Sequence, residues 1–169
     1  MQAPPRASLS KGSPAGETLC PCGSGRQYAA CCQPLHGGQG ATSPVQLLRS
    51  RFSAYCTGNV DYIVATSHAD NSQLKAGASF REDVRATCAS ITFSKLSVDR
   101  EESTPAPYVK LVTFTYEVQQ SGKRGFGGRA ADKRTVTETS IFVLDPPIGG
   151  RWLFLDSKDA LRDKSILPS

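Results

Sequence analysis

Four cysteines lie within thirteen residues of this chain, in the spacing C-x-C-x8-C-C: Cys20, Cys22, Cys31 and Cys32. Thiolate sulfur is a soft ligand, and four such ligands fill the tetrahedral shell that zinc adopts in structural sites. The two members of each close pair are too near in sequence to bridge each other without strain. Disulfides between the pairs are the alternative, but no apolar signal segment ahead of the motif indicates an oxidising compartment. We therefore predict one structural zinc ion bound by the four cysteines.

The residues around the four cysteines support the same interpretation. Gly23-Ser24-Gly25 contains two residues that tolerate positive φ, so backbone N–H groups can turn towards sulfur. Arg26 can offset the negative charge of the thiolates. His36 could replace one cysteine as a ligand, although an exposed loop histidine is the simpler interpretation. Cys56 and Cys88 fall in apolar helical patterns and are expected to pack as small hydrophobic side chains.

The motif Cys20-Pro-Cys22-Gly-Ser-Gly, followed by Tyr28 and Cys31-Cys32, resembles the SEC-C motif, a zinc-binding tail found on the SecA translocase motor. Cys32 stands where that protein carries histidine, and a cysteine there is common in the wider motif family. The resemblance implies that the four cysteines bind zinc.

The composition allows one globular domain besides the cysteine motif. The chain has 169 residues, 38% of them hydrophobic, and a formal net charge of +5. No run approaches the roughly 18 apolar residues of a membrane helix, so no membrane span is predicted. We expect a disordered leader at 1–19, a zinc knuckle with a glycine hinge at 20–40, a globular domain at 41–159 and a tail at 160–169. The expected location is the cytoplasm. The leader also fits an organelle transit peptide, which makes a plastid or mitochondrion the alternative.

Positive charge is concentrated between residues 121 and 134, where five basic residues face one acid, Asp132. Interleaved glycine, arginine and one aromatic residue can follow a phosphate backbone and stack a nucleobase. An exposed hairpin loop that only keeps the chain in solution would have a similar composition. The candidate partner-binding residues are Lys123, Arg124, Phe126, Arg129, Lys133 and Arg134.

The sequence predicts three helices in the first half of the globular domain. Ser43 as N-cap and Gln46 three residues later form a capping box, and Gly58 ends the apolar stripe that follows. Asn59 can cap a second, shorter helix that is predicted to run to about Thr66. A third helix starts at a capping box formed by Ser79–Glu82.

The pattern then changes to the period of two that is typical of strands. Strands are predicted over Ile91–Val98, Val109–Gln119, Thr135–Leu144 and Arg151–Asp156. The apolar phase of the first strand slips between Phe93 and Leu96, which indicates a bulge. Helices followed by antiparallel strands predict an α+β domain with about three helices on one face of a curved sheet.

Further segments extend the resemblance to residues 20–157. They resemble the YchJ family of small SEC-C proteins at Arg49-Ser50-Arg51-Phe52, Asp61-Tyr62, Thr66, His68, Glu138-x-Ser140-x-Phe142 and Trp152 to Asp156. This resemblance implies a nuclear-transport-factor-two-like fold, a cone of helices against a bent sheet that encloses a pocket. No biochemical activity comes with the family name.

The third predicted strand places Glu138 and Ser140 on its core-facing side. A carboxylate there must be paired or must line a wet cavity, and Arg49 or Arg51 is the natural partner. The arrangement is either a structural ion pair or a ligand pocket in which His68 and Glu138 are the candidate acid–base catalysts. The candidate pocket residues are Arg49, Arg51, Asp61, Tyr62, His68, Glu138, Ser140, Trp152 and Asp156.

The preferred interpretation is a non-enzymatic zinc-binding interaction module. Its knuckle would present Arg26, Gln27 and Tyr28 to a protein or RNA partner, with a ribosome-associated or nascent-chain factor implied by the SecA resemblance. A pocket enzyme or small-ligand binder using His68 and Glu138 is the alternative, and a thiolate redox sensor is a third interpretation. A homodimer formed through the sheet is possible by analogy with the fold.

Overall fold

The computed structural model describes residues 18–77, 79–121 and 133–158. Within these ranges, a 3-10 turn at Tyr28–Ala30 and all the helices come before the strands. The helices are α1 (Gln33–His36), α2 (Pro44–Thr57), α3 (Val60–Ala65), α4 (Ser72–Lys75) and α5 (Phe80–Ser90). The strands are β1 (Ile91–Ser103), β2 (Val109–Gln120), β3 (Arg134–Asp145) and β4 (Arg151–Ser157). This order confirms the predicted α+β class.

The four strands form one antiparallel sheet in the order β1-β2-β3-β4. The pairing of β1 with β2 shifts between Ser94 and Ser97, and Lys95 within that shift has a φ of 55°. This irregularity confirms the bulge that the phase slip between Phe93 and Leu96 predicts. A bulge increases local twist and bends the strand, so it curves the edge of the sheet.

Local signals set both ends of α2. Ser43 Oγ accepts a hydrogen bond from the Gln46 backbone N–H at 3.1 Å, as the capping signal predicts. Gln46 Oε1 accepts from the Thr42 backbone N–H at 2.7 Å, one residue ahead of the donor that a capping box uses. Gly58 follows the last turn with a φ of 72°.

Of the other two predicted helix starts, one is confirmed and one is wrong. Asn59 Oδ1 accepts from the Tyr62 backbone N–H at 3.1 Å and caps α3, as predicted. The capping box at Ser79–Glu82 is wrong. Ser79 already has helical backbone angles, so its side chain makes no cap bond and instead donates to Asp83 Oδ2 at 3.1 Å.

The main core lies between α2 and one face of the sheet. Its buried members come from the helix and from all strands except β4. They are Leu47, Leu48, Phe52, Leu96, Val112, Phe114 and Phe142. Phe142 is only 1% exposed, and burying a side chain of this kind contributes about 1.5–3 kcal/mol.

The last strand shows how both faces of the sheet are used. Trp152 and Phe154 pack against the main core, whereas Leu153 and Leu155 belong to a second cluster on the opposite face. That alternation follows from strand geometry, since successive side chains of a strand point to opposite faces.

Candidate metal centre and pocket

The four cysteine sulfurs converge at the N-terminal end of the described chain. All four Sγ atoms lie within 4.8 Å of one another. Cys22 Sγ is 3.6 Å from Cys31 Sγ, which is 3.9 Å from Cys32 Sγ. A zinc ion with Zn–S bonds of about 2.3 Å implies sulfur–sulfur edges of about 3.8 Å. The donor set therefore fits a tetrahedral ion in both chemistry and size.

A tight loop brings the first pair of cysteines to the second pair. Gly23 and Gly25 have φ values of 72° and 73°, as the glycine spacing predicts. The Cys20 backbone N–H donates to the Arg26 carbonyl oxygen at 2.8 Å and closes the loop. The side chain of Arg26 donates to the Ala30 carbonyl oxygen, so it braces the knuckle.

Shared hydrogen bonds make the four thiols unequal. A hydrogen bond from Cys32 is the main cause that lowers the pKa of Cys22 to about 4, and the Ser24 side chain and backbone contribute in the same direction. The same bond, together with burial, raises the pKa of Cys32. Burial raises the pKa of Cys31. A metal ion that binds here must displace the protons that Cys31 and Cys32 hold at neutral pH.

The knuckle is docked on α2 and β1. Arg49 Nη1 donates to the Cys22 carbonyl oxygen at 2.6 Å, and Cys20 Sγ lies 3.8 Å from Ser53 Oγ. Gly23 packs closely against the Leu96 backbone. A Cβ added to Gly23 would lie only 2.8 Å from the Leu96 carbonyl oxygen. Arg49 was predicted as a pocket residue and partner for a carboxylate, but the structure turns it towards the knuckle.

His36 is a second contact between the knuckle and α2, and the expectation of an exposed loop histidine is wrong. The ring is partly buried at the end of α1. Its Nε2 donates to the Ser50 carbonyl oxygen at 2.9 Å, and its Nδ1 accepts from the Tyr28 hydroxyl at 2.7 Å. The Tyr62 ring lies 4.6 Å away. Both nitrogens are engaged, so His36 is not a fourth ligand.

A cavity of about 620 Å³ lies between α2, α5 and the sheet, within the size range of small-molecule sites. Of the predicted pocket residues, Arg51, Glu138, Ser140 and Asp156 line it. Sequence reasoning did not assign its aromatic lining to the pocket. These residues are Phe52, Tyr55, Phe93, Phe114, Tyr116, Phe142 and Phe154. Helical spacing from Arg51 and the period of β2 point to Tyr55 and Tyr116, but these signals also describe an ordinary core.

Arg51 is 6% exposed and anchors the cavity wall. Its Nη1 donates to the Ile63 carbonyl oxygen at 2.8 Å and to Thr66 Oγ1 at 2.7 Å, and its guanidinium carbon lies 4.5 Å from the Phe154 ring centroid. Burial lowers the pKa of Arg51. The predicted ion pair with Glu138 is absent: no ion pair between described residues involves Arg51.

The cavity's carboxylates are held by neutral donors instead. Glu138 accepts from the Tyr116 hydroxyl at 2.9 Å and from Ser140 Oγ at 3.2 Å. Burial raises the pKa of Tyr116, and the Glu138 charge and hydrogen bond raise it further. Asp156 accepts from the Ser72 backbone N–H at 3.1 Å at the start of α4, whose N-cap is Asn71.

The remaining predicted pocket residues lie elsewhere. His68 lines neither described cavity; its Nδ1 accepts from the Asp70 backbone N–H at 3.0 Å. Asp61, Tyr62 and Trp152 line a second cavity of about 250 Å³. The structure therefore does not bring His68 and Glu138 into one acid–base site.

Most of the basic segment predicted to bind a partner falls outside the described residues. Lys123, Arg124, Phe126 and Arg129 belong to that part. The other two are Lys133, whose Nζ lies 3.9 Å from Glu117 Oε2, and Arg134, the first residue of β3.

Comparison with known proteins places the fold and the cysteine cluster in one class. A family profile described as "YchJ, middle NTF2-like domain" matches residues 43–157, and the SEC-C motif profile matches residues 18–34. The chain is thus a SEC-C motif protein with an NTF2-like domain.

Individual relatives agree with this class. A UPF0225 protein of Deinococcus radiodurans is 35% identical over 141 residues, covering 83% of this chain and 88% of that protein. A solved SEC-C motif containing protein from Rhodopseudomonas palustris is 27% identical with a TM-score of 0.64, covering 83% of this chain and 98% of the other. One from Psychrobacter arcticus has a TM-score of 0.65 at 20% identity, covering 92% and 86%. The chain belongs to the YchJ family. In the described ranges, every helix is too short or too polar to cross a lipid bilayer.

Proposed function

We propose that this chain is a zinc-binding interaction module in which the metal holds the knuckle rigid for a macromolecular partner. The observation that carries the proposal is the convergence of four sulfurs within 4.8 Å. Four protein ligands complete the tetrahedral shell and leave no position for a substrate, which is typical of structural zinc.

The docking contacts support a rigid knuckle. Arg49 Nη1 donates to the Cys22 carbonyl oxygen, and Ser53 Oγ, one helical turn later on α2, accepts from Cys20 Sγ. The hydrogen bond to Ser53 Oγ fixes the position of the Cys20 ligand on α2, as partners of metal ligands commonly do. Metal binding is thereby coupled to the position of the knuckle on α2.

The outer surface of the knuckle offers a small contact area. Leu19 is 65% exposed and pairs with Gln27, which is also exposed, in a short antiparallel bridge. An exposed apolar side chain beside polar groups suits a partner contact. Tyr28 was predicted to join this surface, but its hydroxyl is turned to His36.

Zinc binding is tested by elemental analysis of reduced, purified protein. One zinc per chain is expected for the native chain and none for a Cys31→Ser, Cys32→Ser form. Cys88→Ser is the matched control, because Cys88 lies on α5 outside the cluster and should leave one zinc per chain. Native protein that carries no metal would overturn the proposal.

The partner is tested by affinity capture from native lysate at moderate salt, with and without nuclease. A Leu19→Ser, Gln27→Ala form keeps all four ligands and should lose the partner while retaining zinc. Undiminished capture by this form would remove the knuckle surface from the proposal.

An RNA partner would also involve the basic segment. Replacing Lys123, Arg124 and Arg129 together should then reduce the salt dependence of binding, since each phosphate contact adds about one unit to the slope. Nuclease-resistant capture with an unchanged slope would instead favour a protein partner. The sheet-mediated homodimer stays a prediction, which solution mass measurement can test.

A further inference from the structure

The cavity next to Arg51 has the form of a ligand site that the zinc function does not use. Its floor is aromatic, from β1 to β4, and its mouth lies between α4 and α5. The mouth is marked by lining residues that are exposed to solvent: Gln73, Ala76, Ser79 and Asp83. A small molecule can therefore enter without the sheet being opened.

Hydrogen-bond donors on α2 face this cavity without partners among the described residues. Arg51 makes all its side-chain bonds through Nη1, so its Nε and Nη2 have no partner among the described residues. Tyr55 follows one helical turn later and also lines the cavity. Its hydroxyl has no hydrogen bond to any residue in the described ranges. Two neighbouring donors are thus available to a ligand.

Two of the three carboxylates that line the cavity, Glu138 and Asp156, are in the opposite state, and the third, Asp83, lies exposed at the mouth. Both oxygens of Glu138 accept hydrogen bonds, from Tyr116 and Ser140, and Asp156 accepts from two backbone N–H groups, including that of Ser72. The donors of Arg51 and Tyr55 are therefore free to bind a ligand, whereas the oxygens of Glu138 and Asp156 already accept hydrogen bonds. A ligand that brings a hydrogen-bond acceptor fits this cavity better than one that brings a donor.

The unpaired charge of Arg51 leads to the same conclusion, although three carboxylates also line the cavity. A guanidinium that is 6% exposed and has no carboxylate partner among the described residues is costly to bury. An anionic ligand would supply the missing counter-charge, and a carboxylate matches the planar fork of arginine. The aromatic lining favours an apolar body on the same molecule.

We propose that this cavity binds a small organic carboxylate with an aromatic or alkyl body, held by the free nitrogens of Arg51 and the hydroxyl of Tyr55. The body lies against the aromatic side chains of the sheet. The site is separate from the cysteine cluster, so carboxylate binding at this cavity does not depend on whether the cysteines bind zinc.

The test compares three probes of one size and different charge. The full-length chain is titrated with 4-phenylbutyrate, 4-phenylbutyramide and 4-phenylbutylamine, and binding is followed by calorimetry and by amide chemical shifts. The carboxylate should bind roughly tenfold or more tightly than the amide, because a charged hydrogen bond replaces a neutral one. Shifts should concentrate at the cavity residues.

Three variants locate the carboxylate. Arg51→Gln should weaken 4-phenylbutyrate roughly tenfold or more, and Tyr55→Phe should also weaken it roughly tenfold, because it removes a hydrogen bond to the charged carboxylate. Arg85→Gln is the control. It removes one positive charge from an exposed arginine paired with Glu82 outside the cavity, and it should leave affinity unchanged.

Three results would overturn the proposal: no carboxylate binding at millimolar concentration, equal affinity for amide and carboxylate, or tighter binding of the amine. Retained affinity in Tyr55→Phe would also contradict it. If Arg51→Gln does not fold, because Arg51 also holds Ile63 and Thr66, the probe ranking and Tyr55→Phe still decide the question.

Discussion

Replacing Gly23 by alanine should destabilise the protein more than the same change at Gly25. Both glycines have nearly the same positive φ, 72° and 73°, in the same loop. They differ in what a Cβ would meet. At Gly25 nothing lies within 4 Å, whereas at Gly23 the Leu96 carbonyl oxygen would be 2.8 Å away.

The magnitude follows from two separate costs. An alanine in the left-handed region costs about 1–2 kcal/mol, and both variants bear this cost. The contact with Leu96 must be relieved by moving backbone, since Leu96 is 6% exposed in the core beside the β1 bulge. Overpacking of this kind typically costs about 1–3 kcal/mol. We therefore expect Gly23→Ala to lower the free energy of unfolding by about 1–3 kcal/mol more than Gly25→Ala.

Urea unfolding of the full-length, metal-loaded chain measures this difference directly. Gly25→Ala is the matched control, because it changes the same loop and the same backbone conformation without the contact. Equal losses in the two variants would refute the reasoning, since they would show that the knuckle does not press on β1 in solution.

Two further predictions concern protons, and a third concerns His68. Zinc binding should release protons and strengthen as pH rises, since the hydrogen bond to Cys22 and burial raise the pKa of Cys32 and keep it protonated at neutral pH. Calorimetry in buffers of different ionisation enthalpy checks this, and a buffer-independent heat would contradict it. Glu138→Gln should lower the pKa of Tyr116 towards its ordinary value, because the Glu138 charge raises it; phenolate absorbance measures the shift, and an unchanged titration would count against the contact. His68→Ala should leave 4-phenylbutyrate binding unchanged and lower stability by about 1 kcal/mol, because it removes the acceptor of the Asp70 N–H, whereas lost binding would show that His68 contributes to the cavity.

Local chemistry made several features predictable from sequence alone. The spacing of Cys20, Cys22, Cys31 and Cys32 is enough to predict the cluster, because a short loop cannot carry those sulfurs far apart. The start of α2 is equally predictable, because the Ser43 cap depends only on residues next to it in the sequence. Strand positions and the β1 bulge follow from the period of two and its interruption.

The directions of the Arg49 and Arg51 side chains could not be predicted from the sequence. They are two residues apart on one helix, so their side chains point to nearly opposite sides. Either could have faced Glu138, and nothing local says which one does. The packing of α2 turns Arg49 to the knuckle and Arg51 to the cavity, where it meets Thr66 rather than a carboxylate.

The sequence by itself therefore determined the cysteine cluster, the fold class and the starts of the strands, because spacing and periodicity depend on neighbours within a few residues. Only the tertiary structure decided the partners of His36 and Arg51 and the separation of His68 from Glu138. Those outcomes depend on how the helices are rotated against the sheet, and that rotation is set by packing contacts between residues distant in the chain.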